Sequence, residues 1–235
     1  MVKMMYPNVQ AYDRGVMFSP DGRLFQVDYA KEAVRRGATS VGIVAENGVV
    51  LVAHKNIVEM LAVPNTLQKI FRVDSFIGAT YSGLAADGLH VIGIMRNKTQ
   101  THRMVYSETE SVETTAREIA EEMQMATQYG GIRPYAVSLL IGGIDKTPKL
   151  FEIDPGASYL GYKADAIGSG KKIAEDVLVK NYKDNISMED AINLGVSIIK
   201  KINEGKLSEN NFDISTIKKD VGFESFTADK VAKYL

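Results

Sequence analysis

The chain of 235 residues contains no cysteine. Disulfide staples and thiolate catalysis are therefore excluded, and a reducing compartment is permitted. Histidine is scarce as well. His54, His90 and His102 are scattered, with no HExxH or paired-ligand spacing, so neither a metal nor a cofactor is expected. Neither sign of charge is in excess: 28 Lys and Arg stand against 29 Asp and Glu, a net charge of -1. No bulk electrostatic pull on nucleic acid or membrane follows from that balance. No apolar run reaches transmembrane length, and the opening MVKMMYPNVQ lacks a signal-peptide core, so a soluble cytoplasmic protein is expected. No Pro/Ser-rich linker divides the chain, and 45% hydrophobic residues suffice for one large core, so 1–235 reads as one domain. Two chemical motifs are also missing. Gly168-Ser169-Gly170-Lys171-Lys172 lacks the first glycine and the final Ser or Thr of a phosphate loop, and reads as a strand-to-helix turn capped by Ser169. Tyr81-Ser82-Gly83 is not a GxSxG elbow.

What is present centres on Tyr12–Gly37. Ser19-Pro20-Asp21-Gly22 suits a type I turn, with Pro presetting φ and Gly closing it. After it, Leu24, Phe25, Val27, Ala30, Ala33 and Val34 form an apolar stripe at helical spacing, and Gly37 is a natural stop. An amphipathic helix is expected over 23–36, with Asp28 and Glu32 within reach of Arg35 and Arg36. Residues 1–11 carry few structural signals and read as a flexible tail.

Thr39–Ala45 and Gly48–Ala53 read as a hairpin joined through Glu46-Asn47-Gly48, their apolar runs implying a sheet covered on both faces. Lys69–Val73 and Phe76–Tyr81 read as a second hairpin. Helical spacing covers Ala85–Tyr106, with Leu89, Ile92, Ile94 and Met95 on the buried side. It also covers Ser111–Gln128, with Val112, Ala116, Ile119, Ala120, Met123 and Ala126 inward. Strands follow at Tyr135–Ile144, Lys149–Ile153 and Ala164–Ile167, then helices at Lys171–Tyr182 and Met188–Asn203, the latter capped by Ser187. A strand at Asp213–Lys218 and a short helix at Thr227–Tyr234 close the chain. Hairpins separated by helix pairs imply an α+β sandwich of two stacked sheets with helices outside each.

FSPDGRLFQVDYAKEAVRRG resembles the signature of proteasome α subunits of the archaeal type, and the likeness continues through Asn65–Asp74, Tyr81–Asp87, Thr127–Leu140 and Ala164–Lys171. The resemblance implies the four-layer αββα fold of N-terminal-nucleophile hydrolases with an extra N-terminal helix. In β subunits of that family, a processed N-terminal threonine attacks with its own amine as base. Here Ala38 falls at the nucleophile position, His54 at the supporting acid, and only Lys69 matches. The resemblance therefore implies a non-catalytic α-ring subunit. It would form a seven-membered ring with other α subunits, scaffold β rings, gate entry of unfolded protein and dock a hexameric ATPase activator. The rival reading is a threonine protease activated by cleavage before Thr39.

The resemblance also assigns residues. Tyr12, Asp13, Pro20, Tyr29 and Tyr129 match the cluster that holds the gate open. Lys69, Gly83 and Leu84 match the pocket for activator tails ending in hydrophobic-Tyr-any residue. Gly130, Gly131 and Arg133 match the annulus loop below the gate. Read from the residues alone, Tyr29 and Tyr129 fill a helix interface, Lys69 is a solvated surface lysine, and Gly130-Gly131 is a helix C-cap. The sequence departs from the family by one residue fewer between Tyr-Asp-Arg and Phe-Ser-Pro, at Ala53-His54-Lys55-Asn56, and at Ala86-Asp87-Gly88-Leu89.

Overall fold

The computed structural model describes residues 12–13, 15–57, 61–203 and 207–235. The expected tail over residues 1–11 lies outside them. Helix α1 (Phe25–Arg35) precedes a hairpin of β1 (Ser40–Ala45) and β2 (Gly48–His54), then a second of β3 (Ile70–Asp74) and β4 (Ile77–Gly83). Helices α2 (Ala85–Tyr106) and α3 (Val112–Gln128) follow, then β5 (Val137–Ile144), β6 (Pro148–Ile153), β7 (Tyr159–Tyr162) and β8 (Ala164–Ile167). Helices α4 (Lys171–Asn181) and α5 (Met188–Ile202) lead to β9 (Phe212–Lys218), β10 (Gly222–Ser225) and α6 (Ala228–Ala232).

The strands make two antiparallel sheets, ordered β10-β9-β2-β1-β8 and β3-β4-β5-β6-β7. Strand β2 explains how they stack. Side chains alternate across a strand, so Val50 and Val52 meet Ile192, Val196 and Ile199 of α5 on one face. Val49 and Leu51 meet Leu140 and Leu150 of the other sheet on the opposite face. A continuous apolar run is the result, because neither face is wet. The second sheet repeats this outward, with Ile77, Ala79 and Ile141 against Ile92 and Met95 of α2 and Ile119 and Met123 of α3. The order is helices, sheet, sheet, helices: a four-layer α+β sandwich with α1 added at one end.

Helix α1 buries Val27, Ala30 and Val34 on β4 and β5, a stripe worth on the order of 4 kcal/mol. The turn ahead of it closes as the sequence implies. Gly22 N donates to Ser19 O at 2.8 Å, Gly22 takes φ 78°, and Arg23 N donates to the Ser19 hydroxyl at 3.0 Å. Glu32 pairs with Arg35, whereas Asp28 pairs with Arg23 at 2.8 Å rather than with Arg36.

Four local readings are corrected. Ala45 pairs with Gly48, so the first hairpin turns on Glu46-Asn47 alone and Gly48 already lies in β2. Its glycine serves close approach instead: a Cβ there would stand 2.1 Å from Ile217 O of β9. Leu89 faces outward at 52% exposure, and Val91, Ile92 and Met95 carry the buried face of α2. Ser169 does not cap α4, whose N-cap is Gly170. Ser187 does cap α5, accepting from Asp190 N at 3.1 Å, and Ser111, read as the first residue of its helix, is instead the N-cap of α3, accepting from Thr114 N at 3.0 Å. Strands β7 and β10 were not expected.

Candidate functional site

The chemistry-bearing residues meet at the end of the sandwich where β1 begins. Gly37 leads out of α1 into Ala38 and Thr39. Ser82 Oγ of β4 donates to Ala38 O at 3.0 Å, and Ser169 N donates to Gly37 O at 2.9 Å. The Thr39 hydroxyl is buried and accepts from Gly170 N at 2.9 Å. Ser40 accepts from the Thr80 hydroxyl at 2.9 Å. Backbone joins the next strand, with His54 N donating to Thr39 O at 2.9 Å. Both hydroxyls are thus held inside, and the Thr39 nitrogen is a peptide nitrogen that cannot accept a proton at neutral pH.

Lys69 approaches the same centre from the start of β3. It is not a solvated surface lysine: only 7% of the residue is exposed. Its Nζ donates to Tyr81 O at 2.9 Å and lies 4.1 Å from the Tyr81 ring centroid. Burial pushes the ammonium down to about 8, against the pull of Asp213. Asp213 accepts from the backbone of Lys69 and Ile70 at 2.8 and 3.0 Å, and burial pushes its carboxyl up. Burial, then the Lys69 charge, holds the His54 imidazole below its ordinary range. A buried cation beside a depressed imidazole has no carboxylate at His54's position to orient it toward Thr39.

The outer face of this end carries two hollows. A groove of about 560 Å³ runs between Tyr29, Glu32 and Ala33 of α1, Arg36 just past its end, and the Gly83-Leu84 turn. Lys69 does not line it; its ammonium sits behind the turn, on the carbonyl two residues before Gly83. The second hollow, about 430 Å³, lies between Gly15, Val16 and Met17 of the N-terminal segment and the Gly130–Arg133 loop. Gly131 takes φ 86° there, a conformation glycine adopts without penalty.

The five residues of the expected gate cluster are only partly brought together. The Asp13 carboxylate faces the Tyr29 hydroxyl and pushes its pKa up. Gln26 Nε2 of α1 donates to Asp13 O, pinning the N-terminal segment to the helix. Pro20 stays exposed in the turn ahead of α1, and Tyr129 caps the end of α3 at 59% exposure. Among the described residues, no hydrogen bond joins Tyr129 to Tyr29 or Pro20. Arg133 is anchored elsewhere, forking onto both Asp87 carboxylate oxygens at 2.6 and 2.7 Å.

Sequence reasoning missed two features. A cleft of about 620 Å³ separates α1 from the β6–β7 turn and the start of α4; Lys31–Asp154 at 2.8 Å bridges it, and Lys171–Glu152 at 2.7 Å lines its far side. Asp165 lies buried beside that second pair, 3.5 Å from Lys171 Nζ. Burial and the Glu152 charge push its carboxyl up to about 7, with Lys171 opposing. The pattern ADAIGSGKK could flag Asp165 as a polar residue inside a buried strand, and nothing more. Among the described residues no helix is long and apolar enough to cross a membrane.

Comparison with known proteins places this arrangement. Residues 34–217 match the family described as Proteasome subunit, and residues 12–33 match the N-terminal signature of A-type proteasome subunits. The chain is 42% identical over 231 residues to the proteasome alpha subunit of Pyrococcus horikoshii, covering 97% of this chain and 88% of that one. It is 43% identical over 227 residues to the proteasome alpha subunit of Methanosarcina thermophila, covering 95% and 92%. To that of Archaeoglobus fulgidus it is 44% identical over 210 residues, covering 89% and 85%. The signature falls on the segment that fastens Asp13 and α1 across the end of the sandwich, and the family match spans nearly all of both sheets. The chain, a four-layer sandwich with that helix across the end where β1 begins, is thus a member of the proteasome subunit family, of the α type.

Proposed function

We propose that this chain is a non-catalytic α-ring subunit of a proteasome core particle in the cytoplasm. Seven copies close a ring that scaffolds β rings. The ring gates entry of unfolded protein to a hydrolytic chamber made by other subunits, and docks the tails of an ATPase activator. The observation that carries the reading is the state of Thr39. Its hydroxyl is buried and bonded to Gly170 N, with its nitrogen in the chain behind α1. Cleavage before Thr39, the protease reading, would strip away Val27, Ala30 and Val34 from β4 and β5 and leave the Ser82 hydroxyl without Ala38 O. That is an exposure of packed apolar surface, not the release of a tail.

Assembly is supported by what lies exposed around α1. Phe18 at 66%, Tyr29 at 48%, Leu84 at 45%, Tyr129 at 59% and Ile132 at 56% are large apolar side chains at this end of the molecule. Apolar groups in such number at one end suit burial by neighbouring copies. In the proposed ring, Tyr12, Asp13, Pro20, Tyr29 and Tyr129 hold the open gate, and Gly130, Gly131 and Arg133 line the annulus. Activator tails ending in hydrophobic-Tyr-any residue enter the groove at Gly83 and Leu84. Lys69 supplies the cation for the tail carboxylate from behind that turn, which must shift to bring the ammonium into the groove.

The test is purification of the chain with and without a β subunit. Seven-fold rings that stack on β rings in negative-stain images are expected, with Met1 or a residue near it at the mature N-terminus. The chain alone should hydrolyse no reporter peptide. A persistent monomer, or hydrolysis by a chain that has lost residues 1–38, ends the reading.

A further inference from the structure

The groove and the hollow against the N-terminal segment are separate openings, yet one ion pair stands between them. Asp87 lies in the first turn of α2, three residues after Leu84, and its side chain is 10% exposed. Its Oδ1 accepts from Arg133 Nη2 at 2.7 Å. Its Oδ2 accepts from Arg133 Nη1 at 2.6 Å and from Ala136 N at 2.8 Å. Arg133 Nη1 also donates to Pro134 O at 3.0 Å. A planar fork on a buried carboxylate fixes direction as well as distance. The pair holds the Asp87 carboxyl below and the Arg133 guanidinium above their ordinary ranges, as mutual stabilisation requires.

The groove side is riveted to the same segment. Leu84 N donates to Ala136 O at 2.8 Å. Gly83 takes φ 118°, and a Cβ on it would stand 2.2 Å from Ala136 O. The stretch Arg133–Ala136 is therefore bound to Gly83–Asp87 at both ends. Beyond Arg133 the situation reverses. A Cβ at Gly130 or Gly131 would meet nothing within 4 Å. The loop is clamped at its base and open at its tip, and that tip faces Gly15–Met17 across the second hollow.

We propose that the Asp87–Arg133 pair is a strut. It carries occupancy of the Gly83-Leu84 groove to the Gly130–Arg133 loop and so to the N-terminal segment. Arg133 is thus a positioning residue, acting through the loop and touching no tail itself. The inference rests on the docking reading above. A ligand that shifts the Gly83-Leu84 turn must shift the first turn of α2, because Gly88 N is bonded to Leu84 O at 3.0 Å. The fork makes the loop follow.

The test uses the chain assembled with β subunits, and a short synthetic peptide ending Leu-Tyr-Ala with a free carboxylate. Hydrogen exchange reads three places: Gly83-Leu84, Gly130–Ile132 and Gly15–Met17. Hydrolysis of a reporter peptide reads entry. In the unaltered core, the peptide protects the groove, changes exchange at the loop and the N-terminal segment, and raises hydrolysis. In Arg133→Met, groove protection keeps its Kd while the two remote responses vanish and hydrolysis falls to the basal rate. Arg133→Lys, which retains a charge but no fork, recovers part of both. A merely structural role would lower stability without separating binding from response. Should Arg133→Met fail to assemble, Asp87→Asn keeps an acceptor for Ala136 N and has the same expected result. Unchanged remote responses in these variants overturn the strut and leave docking intact. Absence of groove protection in the unaltered core overturns docking and the strut with it.

Discussion

Replacing Lys69 by methionine tests whether the amine is buried as the structure places it. A lysine that deprotonates at about 8 rather than 10.5 holds its native-state charge at a cost of about 3 kcal/mol. The folded value is depressed, so below pH 8 both states are protonated and the whole cost is present. Between pH 8 and 10.5 the unfolded chain binds the proton and the native chain does not, so native stability rises with pH across that window. Methionine removes the cost at all pH values but leaves Tyr81 O, now bonded at 2.9 Å, without its donor, a loss of about 1–2 kcal/mol. The balance makes Lys69→Met more stable than the original by about 1–2 kcal/mol at pH 7. Above pH 10.5 the sign reverses, because only the lost hydrogen bond remains. The curves should cross between about pH 9 and 10. Urea unfolding of both proteins at matched concentration from pH 7 to 10.5 measures this. A stability difference that stays constant over the range would refute the buried amine and the pH argument together.

Other outcomes follow from the same geometry. In the assembled core, Lys69→Ala should leave rings intact and abolish stimulation by an activator ATPase; ordinary stimulation would remove Lys69 from the docking site. Gly83→Ala puts a Cβ against Ala136 O at an unfavourable φ and should cost about 3 kcal/mol, a fall in Tm on the order of 10 °C. An unmoved Tm would contradict the close approach. Asp165, pushed up to about 7, keeps a proton in the native state between about pH 4 and 7 that the unfolded chain has lost, so its contribution to stability falls as pH rises through that window. Asp165→Asn should remove that decline; an unchanged pH–stability slope would show the carboxyl to be ordinary.

Much of the architecture was legible because its signals are local. Val112, Ala116, Ile119 and Met123 recur at helical spacing, and α3 buries all four. The unbroken apolar runs of β1 and β2 announced a sheet covered on both faces, as found. Strand β7 escaped because Tyr159–Tyr162 is an edge strand mostly open to water, with no buried face to impress a pattern. Leu89 misled for the complementary reason: it stands one position beside the buried face formed by Gly88, Val91, Ile92 and Met95, and an apolar residue there carries no mark of which way it points.

The sequence alone carried the family resemblance, the α+β sandwich, the missing thiol chemistry and the cap at Ser187, since residue identity, spacing and hydrogen-bonding capacity are properties of neighbours along the chain. Only the tertiary structure decided that Lys69 is buried on Tyr81 O, that Thr39 bonds Gly170, and that Arg133 forks onto Asp87. Those partners stand 12, 131 and 46 positions apart. Charge, burial and direction at such separations are set by where two sheets and a crossing helix bring the backbone together, which no stretch of residues carries by itself.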